Sequence, residues 1–549
     1  MLSLVKNYYN LISQNKKLLY PYYIGYFIQV VIGLMIPICA AKIINVITVS
    51  LWDAVFLYII ILLLLNVISN LLSCFNMNTY SNFFQKNYIS LYHKIINKVY
   101  HYNKEQKEEV SSGKIINSLN YDLICIGEMA DNLLSIFLNI LKCIIIMIYF
   151  FQINLMLTFF LLAIYYIYFK WSTTLNKLSI DYLRKQKRAN DSLTKYLNQT
   201  LTGLTDIQTL NIYHNLDQKY HEMYKVWEEA YSQKRKYQII RRTILKIILI
   251  LSKIMIYFVC VICIIKKNLN LETMLLILSY FESLFTSSEN ILSSIESINE
   301  ENVSLNRILE LLKYNNCSYN TINKLKEGAG EIKFKHVYFH YSQQPILKNI
   351  NFTIKPNQIT AIIGKNGSGK STIVNLLVKQ YIPDSGEILF DNINIQRIDS
   401  STYLNNVSVL TQNTFLFNLS IRENFDLINN DQKEQEKICK LLGIDEYIKS
   451  LPNGFNTIIE ENNTNISGGE KRLLSLARTL LKKSKVLILD EVTSFLDTKA
   501  TMKMKDVLLK LKKEHTIIIV THKRELIKIA DQIIKLDNKK SKIIRKKIN

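Results

Sequence analysis

The sequence predicts two domains of different fold class in series: an α-helical membrane domain of six spans, then an α/β domain built around a phosphate-binding loop. Three observations carry this. Six apolar runs fall before Tyr314, most of them near the roughly 20 residues a helix needs to cross a bilayer. From Glu331 onward, short β-branched runs alternate with helical patterns. Inside that second half, Gly364 to Thr372 reads G-x-x-x-x-G-K-S-T directly after one such run. A chain of 549 residues also exceeds what one hydrophobic core organises. The expected division is 1–315 for the membrane domain, 316–329 for a linker and 330–549 for the α/β domain.

The apolar runs are Tyr22–Ile44, Leu51–Phe75, Asn132–Gln152, Leu155–Trp171, Ile244–Ile265 and Leu271–Ile291. The fourth is short but closes on Tyr165, Tyr166, Tyr168 and Trp171, aromatics suited to a membrane–water interface. Links after the second and fourth runs are long and rich in Lys and Arg, including Arg184, Lys185, Lys187, Arg188, Arg235, Lys236, Arg241 and Arg242. The positive-inside rule places these links and both termini in the cytosol, with Lys266 and Lys267 against it. The opening stretch, MLSLVKNYYNLISQNKKLLY, alternates apolar and basic residues at helical spacing without a small-residue cleavage site. It predicts a helix lying in the interface rather than a signal peptide.

A formal charge of +23 raises nucleic acid as a partner. Lysine is spread throughout the chain, however, and the positive-inside bias adds to it, so no nucleic-acid partner is expected. Abundant Lys, Asn, Ile and Tyr associate the chain with an AT-rich bacterial genome, and hence its spans with a bacterial plasma membrane. Eight cysteines are scattered, mostly in apolar segments, without disulfide or zinc spacing. Cys260 and Cys263 form a C-x-x-C, but inside an apolar run lacking other ligands.

Three strands are expected in the second half, ending at Gly364, Asp490 and His522, each delivering a residue able to do chemistry at the carboxyl edge of a parallel sheet. In the loop after the first, Gly364, Gly367 and Gly369 let backbone wrap phosphates, with Asn366, Ser368 and Thr372 beside them. Lys370 reaches the β and γ oxygens, and the Ser371 hydroxyl ligates magnesium. VLILDE brings Asp490 to that ion, directly or through water, and sets Glu491 where it could polarise an attacking water. NISGGE, running into KRLLSLARTLL, is a second anion cradle: Ser467, Gly468 and Gly469 before a helix N-terminus.

With both motifs in place the sequence resembles an ABC transporter, whose signature motif ISGGE matches in slightly altered form. The likeness spans essentially the whole chain. It implies ATP and Mg2+ as ligands, and a dimer in which each signature loop closes over nucleotide held by the other copy. The second copy would be this chain or a related half-transporter. Residue by residue, the resemblance puts Tyr341 on adenine, Gln412 between magnesium and the membrane domain, Asp497 in the loop crossing the dimer interface, and His522 on the γ-phosphate. The membrane half is similar to the six-helix exporter type: SSGKIINSLNYDLICIGEMADNLL resembles its first coupling segment, and NVSLNRILELL the exit from the sixth span. Catalytic Glu491 and His522 are both present, which implies active sites in both halves of a homodimer. Glu470 stands where the family has glutamine and Phe495 where it has alanine; Glu461 matches a family glutamate. The implied activity is ATP hydrolysis coupled to export. An importer on the same architecture would share every feature, whereas a soluble DNA-acting ATPase of the same superfamily would lack the spans.

For cargo, Lys142, Lys253 and Glu282 fall roughly 15 to 18 Å from the outer ends of their spans. Glu282, Glu289 and Glu296 recur every seven residues on one helix face. One reading has this face lining a pathway for a cationic substrate such as a peptide; the other pairs Glu282 with Lys253 structurally and puts Glu296 in a cytosolic extension. Lipid or multidrug efflux is the alternative. About twenty residues precede the first span, so the N-terminal cysteine protease domain of some peptide exporters is not expected.

Overall fold

The computed structural model describes the chain except residues 1, 49–50, 103–105, 107–109, 111, 154, 266–268, 314–321, 323–324, 326–327, 342–343, 413, 461–464, 494–497, 538–539 and 546–549. It divides into two compact units: residues 1–99 with 113–313, and residues 100–112 with 314–549.

The first unit is helical. A short helix α1 (Leu2–Leu11) leads through a single turn into α2 (Leu19–Thr48), followed by α3 (Trp52–Tyr100), α4 (Leu123–Ile153), α5 (Leu155–Thr202), α6 (Tyr213–Ile265) and α7 (Leu271–Lys313). The six expected runs fall on α2 to α7, and the helices continue far past them. At 1.5 Å per residue the 49-residue α3 is roughly 70 Å long, more than twice a hydrocarbon core. Pro37 lies inside α2 without ending it, as membrane helices tolerate.

Burial in this unit is inverted relative to a water-soluble bundle. Phe56, Leu63, Leu71, Phe137 and Phe258 are exposed, an apolar surface that only lipid or another apolar surface can cover. What is buried centres on α7, where Leu276, Ile277, Phe281, Leu284 and Phe285 pack with Leu34, Ile146, Phe150, Leu161, Tyr168, Ile256 and Cys260 of four other helices. Ser287, Ser288 and Ser294 on α7 are also buried, small enough for close helix approach. Among the described residues four helices are long and apolar enough to cross a membrane: α2, α3, α4 and α6. The expected fourth and sixth spans, α5 and α7, are helices in the predicted places that do not reach that measure there; α7 carries its serines with Glu282 and Glu289. The stretch read as a coupling segment is short helix Ser112–Asn117, one π turn Ser118–Asp122 and the start of α4, whereas the residues just before it, 100–112, group with the second unit. The lysines at 266 and 267 lie outside the described residues.

The second unit holds two sheets. Strands β1 (Ile332–Tyr341), β2 (Gln344–Ile354), β4 (Ser385–Phe390) and β5 (Ile393–Asn394) form an antiparallel sheet in the order β2-β1-β4-β5. The other has the order β10-β9-β3-β8-β7-β6, from β3 (Ile359–Gly364), β6 (Val407–Leu410), β7 (Val486–Asp490), β8 (Thr516–Val520), β9 (Gln532–Asp537) and β10 (Lys540–Arg545). It is parallel except for edge strand β10. Every residue of β7 and β8 is buried, as in a parallel sheet covered on both faces, and two apolar clusters do the covering. The three strands read from sequence are neighbours, in the order β3-β8-β7. Strand β8 stops at Val520, so His522 lies two residues past its end rather than on it.

Candidate functional site

The carboxyl edge of β3, β8 and β7 opens on a cleft of about 430 Å³ lined by Tyr341, Asn366, Gly367, Gly369, Lys370, Ser371, Thr372, Gln412, Asp490 and Glu491, with Ile346 and Val520 as apolar walls. The loop after β3 enters helix α8 (Lys370–Leu377) through Gly369 at φ +97°, where a Cβ would lie 2.7 Å from Leu347 Cδ2. Only glycine takes that turn and leaves the helix N-terminus open. Lys370, 8% exposed, donates from Nζ to the carbonyls of Gly364 and Lys365, both at 2.9 Å, so its ammonium spans the mouth of the loop. Burial pushes that ammonium down, against the pull of Glu491 and Asp490. Ser368 Oγ is buried without a hydrogen-bond partner and lies against Gly364, 2.5 Å from where a Cβ there would sit, so the loop closes tightly around a glycine at that position too.

Across the cleft, Asp490 ends β7 and is buried. Burial and the neighbouring Glu491 push its carboxyl up, opposed by Arg472 and Lys370. Glu491 follows at φ +52°, a conformation rarely adopted by a side-chain-bearing residue, and its N–H donates to Val520 O at 2.9 Å. Gln412 Nε2 donates to Glu491 Oε2 at 2.9 Å, joining two residues far apart in sequence. Tyr341 sets its ring edge-on to Phe339 and Tyr381, and its hydroxyl is 3.4 Å from Thr372 Oγ1. The oxygen donors that could hold a cation in this cleft are an exposed Ser371 hydroxyl, the Asp490 carboxylate and the Gln412 amide oxygen. Hard oxygen donors this few suit Mg2+ shared with phosphate oxygens rather than a closed protein cage.

Not every expected residue joins this cleft. Ser467, Gly468 and Gly469 are absent from its lining. Ser467 caps helix α9 (Gly468–Leu480) in a capping box: Glu470 N donates to Ser467 Oγ at 3.3 Å, and the Glu470 carboxylate accepts from Ser467 N at 2.8 Å and Oγ at 2.7 Å. His522 is exposed beyond β8 and does not line the cleft. Asp497, Phe495 and Glu461 lie outside the described residues. Sequence reasoning passed over Arg472, the largest fully buried side chain of the described residues. Its spacing from Leu476 and Leu480, four and eight residues on, put it on the apolar stripe of α9, and that was the available signal.

The cargo candidates sit in the helical unit. Lys253 and Glu282 form an ion pair, as do Arg241 and Glu296. Glu289 Oε1 accepts from Tyr168 at 3.4 Å. Lys142 is half-buried on α4 and makes no hydrogen bond or ion pair with a described residue.

Comparison with known proteins gives a consistent picture. The family described as ABC transporter transmembrane region matches residues 21–288, and that described as ABC transporter matches residues 347–494. The chain is 39% identical over 220 residues to an ATP-dependent lipid A-core flippase of Haemophilus influenzae, covering 39% of this chain and 38% of that one. It is 36% identical over 215 residues to a protein of the same name from Syntrophus aciditrophicus, covering 39% and 36%. The match thus spans under two fifths of the length of these relatives. In fold, the structure is similar to a bacterial Atm1-family ABC exporter with ATP bound, at TM-score 0.84 and 19% identity, over 95% of this chain and 94% of that one.

Proposed function

This chain belongs to the ABC transporter family, and from that premise we propose that it is one half of a dimeric exporter of a bacterial plasma membrane that hydrolyses ATP to move an amphipathic, lipid-like substrate. The observation that carries the ATPase reading is the convergence of Lys370, Gln412, Asp490 and Glu491 on one glycine-turned cleft. The loop N–H groups and Lys370 hold the triphosphate; Lys370 then meets charge that grows on the γ oxygens as the bond to the leaving phosphate breaks. Ser371, Asp490 and Gln412 would hold Mg2+, which would supply positive charge against the phosphate oxygens. Glu491 orients a water in line and takes its proton, with Gln412 fixing the carboxylate before the reaction. Tyr341 packs on the base, and His522 and Asp497 complete the site on closure. The signature cradle, Ser467 to Gly469, stands outside its own chain's cleft and serves nucleotide bound by the second copy, this chain or a related half-transporter.

The lipid reading draws on the relatives' names and on how the membrane charges are engaged. The glutamates that would attract a cationic peptide already have partners: Glu282 has Lys253, Glu296 has Arg241 and Glu289 has Tyr168. Lys142 is the half-buried cation of the third span with no acidic neighbour in contact, which suits an anionic headgroup over apolar tails. The deciding experiment is ATPase activity of the protein in lipid nanodiscs, wild type against Glu491→Gln, titrated with anionic lipids, cationic peptides and hydrophobic drugs. Stimulation by anionic lipid, weakened in Lys142→Met, supports this reading. Stimulation by cationic peptide alone overturns the cargo, and accumulation of substrate outside inside-out vesicles overturns export.

A further inference from the structure

Arg472 lies five residues into the helix that Ser467 caps, 2% exposed; both of its Nη atoms bond main chain, while its Nε is buried without a hydrogen-bond partner. One Nη1 donates to the carbonyls of Thr411 and Gln412, each at 2.7 Å; Nη2 donates to the carbonyl of Asp490. Those carbonyls belong to the two loops that present Gln412 and Glu491, which are themselves hydrogen-bonded. One planar, rigid fork therefore ties three segments: the helix behind the signature cradle, the loop of Gln412 and the end of β7. Nothing in these contacts touches nucleotide. Charge-assisted bonds to buried carbonyls are strong, and removing the donor takes one such bond from each of the three carbonyls.

We propose that Arg472 is a positioning residue that couples the two nucleotide sites of the dimer. The N-terminus of α9 faces the second copy's nucleotide, while the loops held by Arg472 serve this copy's own. Movement of α9 as its cradle engages one nucleotide is carried by the guanidinium to the backbone of Gln412 and Asp490, and so to Glu491. Because Glu491 sits at φ +52°, a small shift of Asp490 redirects its carboxylate. Each copy reports the occupancy of one site to the catalytic base of the other. This inference rests on the dimeric reading above.

The test compares wild type, Arg472→Lys and Arg472→Met in nanodiscs by nucleotide affinity, kcat, the Hill coefficient for ATP and melting temperature. Wild type is expected to hydrolyse ATP with a Hill coefficient approaching about 2, the number of sites. Arg472→Met is expected to bind nucleotide within about twofold of wild type, lose about 30- to 100-fold in kcat, and show a Hill coefficient near 1. Arg472→Lys keeps the charge but cannot span three carbonyls, and falls between them. If Arg472→Lys is folded and matches wild type in kcat and Hill coefficient, the proposal is overturned. It is equally overturned if kcat falls only in step with the folded fraction while cooperativity persists. If the Glu491→Gln protein with native Arg472 fails to cross-link as a dimer in ATP, the dimeric reading itself has failed, and that result does not depend on any Arg472 variant.

Discussion

In the α/β unit, Lys370, Arg472 and Asp490 are all at least nine-tenths buried and serve one cleft, which Lys370 and Asp490 line and Arg472 braces through the carbonyls of Gln412 and Asp490; in the helical unit, buried Asp122 and Glu301 have separate partners. The first group shares its field. Lys370 and Arg472 are held on backbone carbonyls, Asp490 lies between them, and in a low-dielectric pocket these fixed charges act together on whatever charge develops there. The second group is settled locally. Asp122 accepts from Ser118 at 2.9 Å and lies 3.6 Å from Arg307, while Glu301 takes one bond from Asn132 at 2.6 Å. Convergent buried charge makes a reaction site; dispersed buried charge fixes helices against each other at single points. Apolar surface divides the same way: closed over both faces of a sheet in one unit, turned outward in the other.

If convergence is what matters, the largest effect should follow from the member that would take the proton. Glu491→Gln is expected to lower hydrolysis by about 100- to 1,000-fold while nucleotide binding persists, measured by phosphate release and by binding of a fluorescent ATP analogue. Loss of binding together with turnover would make Glu491 a ligand rather than a base.

Next in size comes the cradle outside the cleft. Glu470 puts a negative charge where phosphate would dock, yet its bonds to Ser467 need only an acceptor. Glutamine keeps that acceptor and removes the charge. Glu470→Gln is therefore expected to tighten ATP-driven dimerisation about 3- to 10-fold at low salt, with the gain shrinking at high salt. ATP-dependent cross-linking in a Glu491→Gln background reads this, and no change would separate the signature from phosphate.

Glu301 tests the dispersed charges. Burial raises its carboxyl from 4.5 to about 7, Asn132 opposing and Glu128, Asp131 and Glu300 adding, and its second oxygen is buried without a hydrogen bond. The folded state thus keeps a proton that the unfolded chain has already released between those values. Stability is highest below 4.5, falls as pH rises, and levels off above 7. Glu301→Gln removes that slope: its melting temperature should match wild type near pH 4.5 and exceed it at pH 8, where the stability difference is on the order of 3 kcal/mol at most. Parallel curves at both pH values would show that Glu301 does not titrate in this window.

The smallest effect belongs to the Lys253–Glu282 pair, whose carboxylate is half exposed. Within the spans that exposed side does not face bulk water, so Glu282→Gln leaves Lys253 uncompensated and should cost about 1 to 2 kcal/mol, with stability restored when Lys253→Glu and Glu282→Lys are combined. Altered cargo stimulation with unchanged melting would instead return Glu282 to the pathway.

Much of this was legible from local pattern. Apolar runs marked all six long helices, and the loop of Gly364 to Thr372, the end of β7 and the signature are contiguous strings whose chemistry depends on spacing within a few residues. The carboxyl-edge argument anticipated that β3, β7 and β8 would present their ends together.

What the sequence by itself determined is therefore the fold class, the nucleotide motifs and the membrane character, since each is written in residues that are neighbours in the chain or recur with a helix or strand period. Only the tertiary structure decided that Lys253 meets Glu282, that Asn132 reaches Glu301 across 169 residues, and that Arg472 binds loops 61 and 18 residues away. Those contacts depend on how helices and strands are rotated and registered against one another, and a charged residue in a helical pattern looks the same whether it turns to water or to a buried carbonyl.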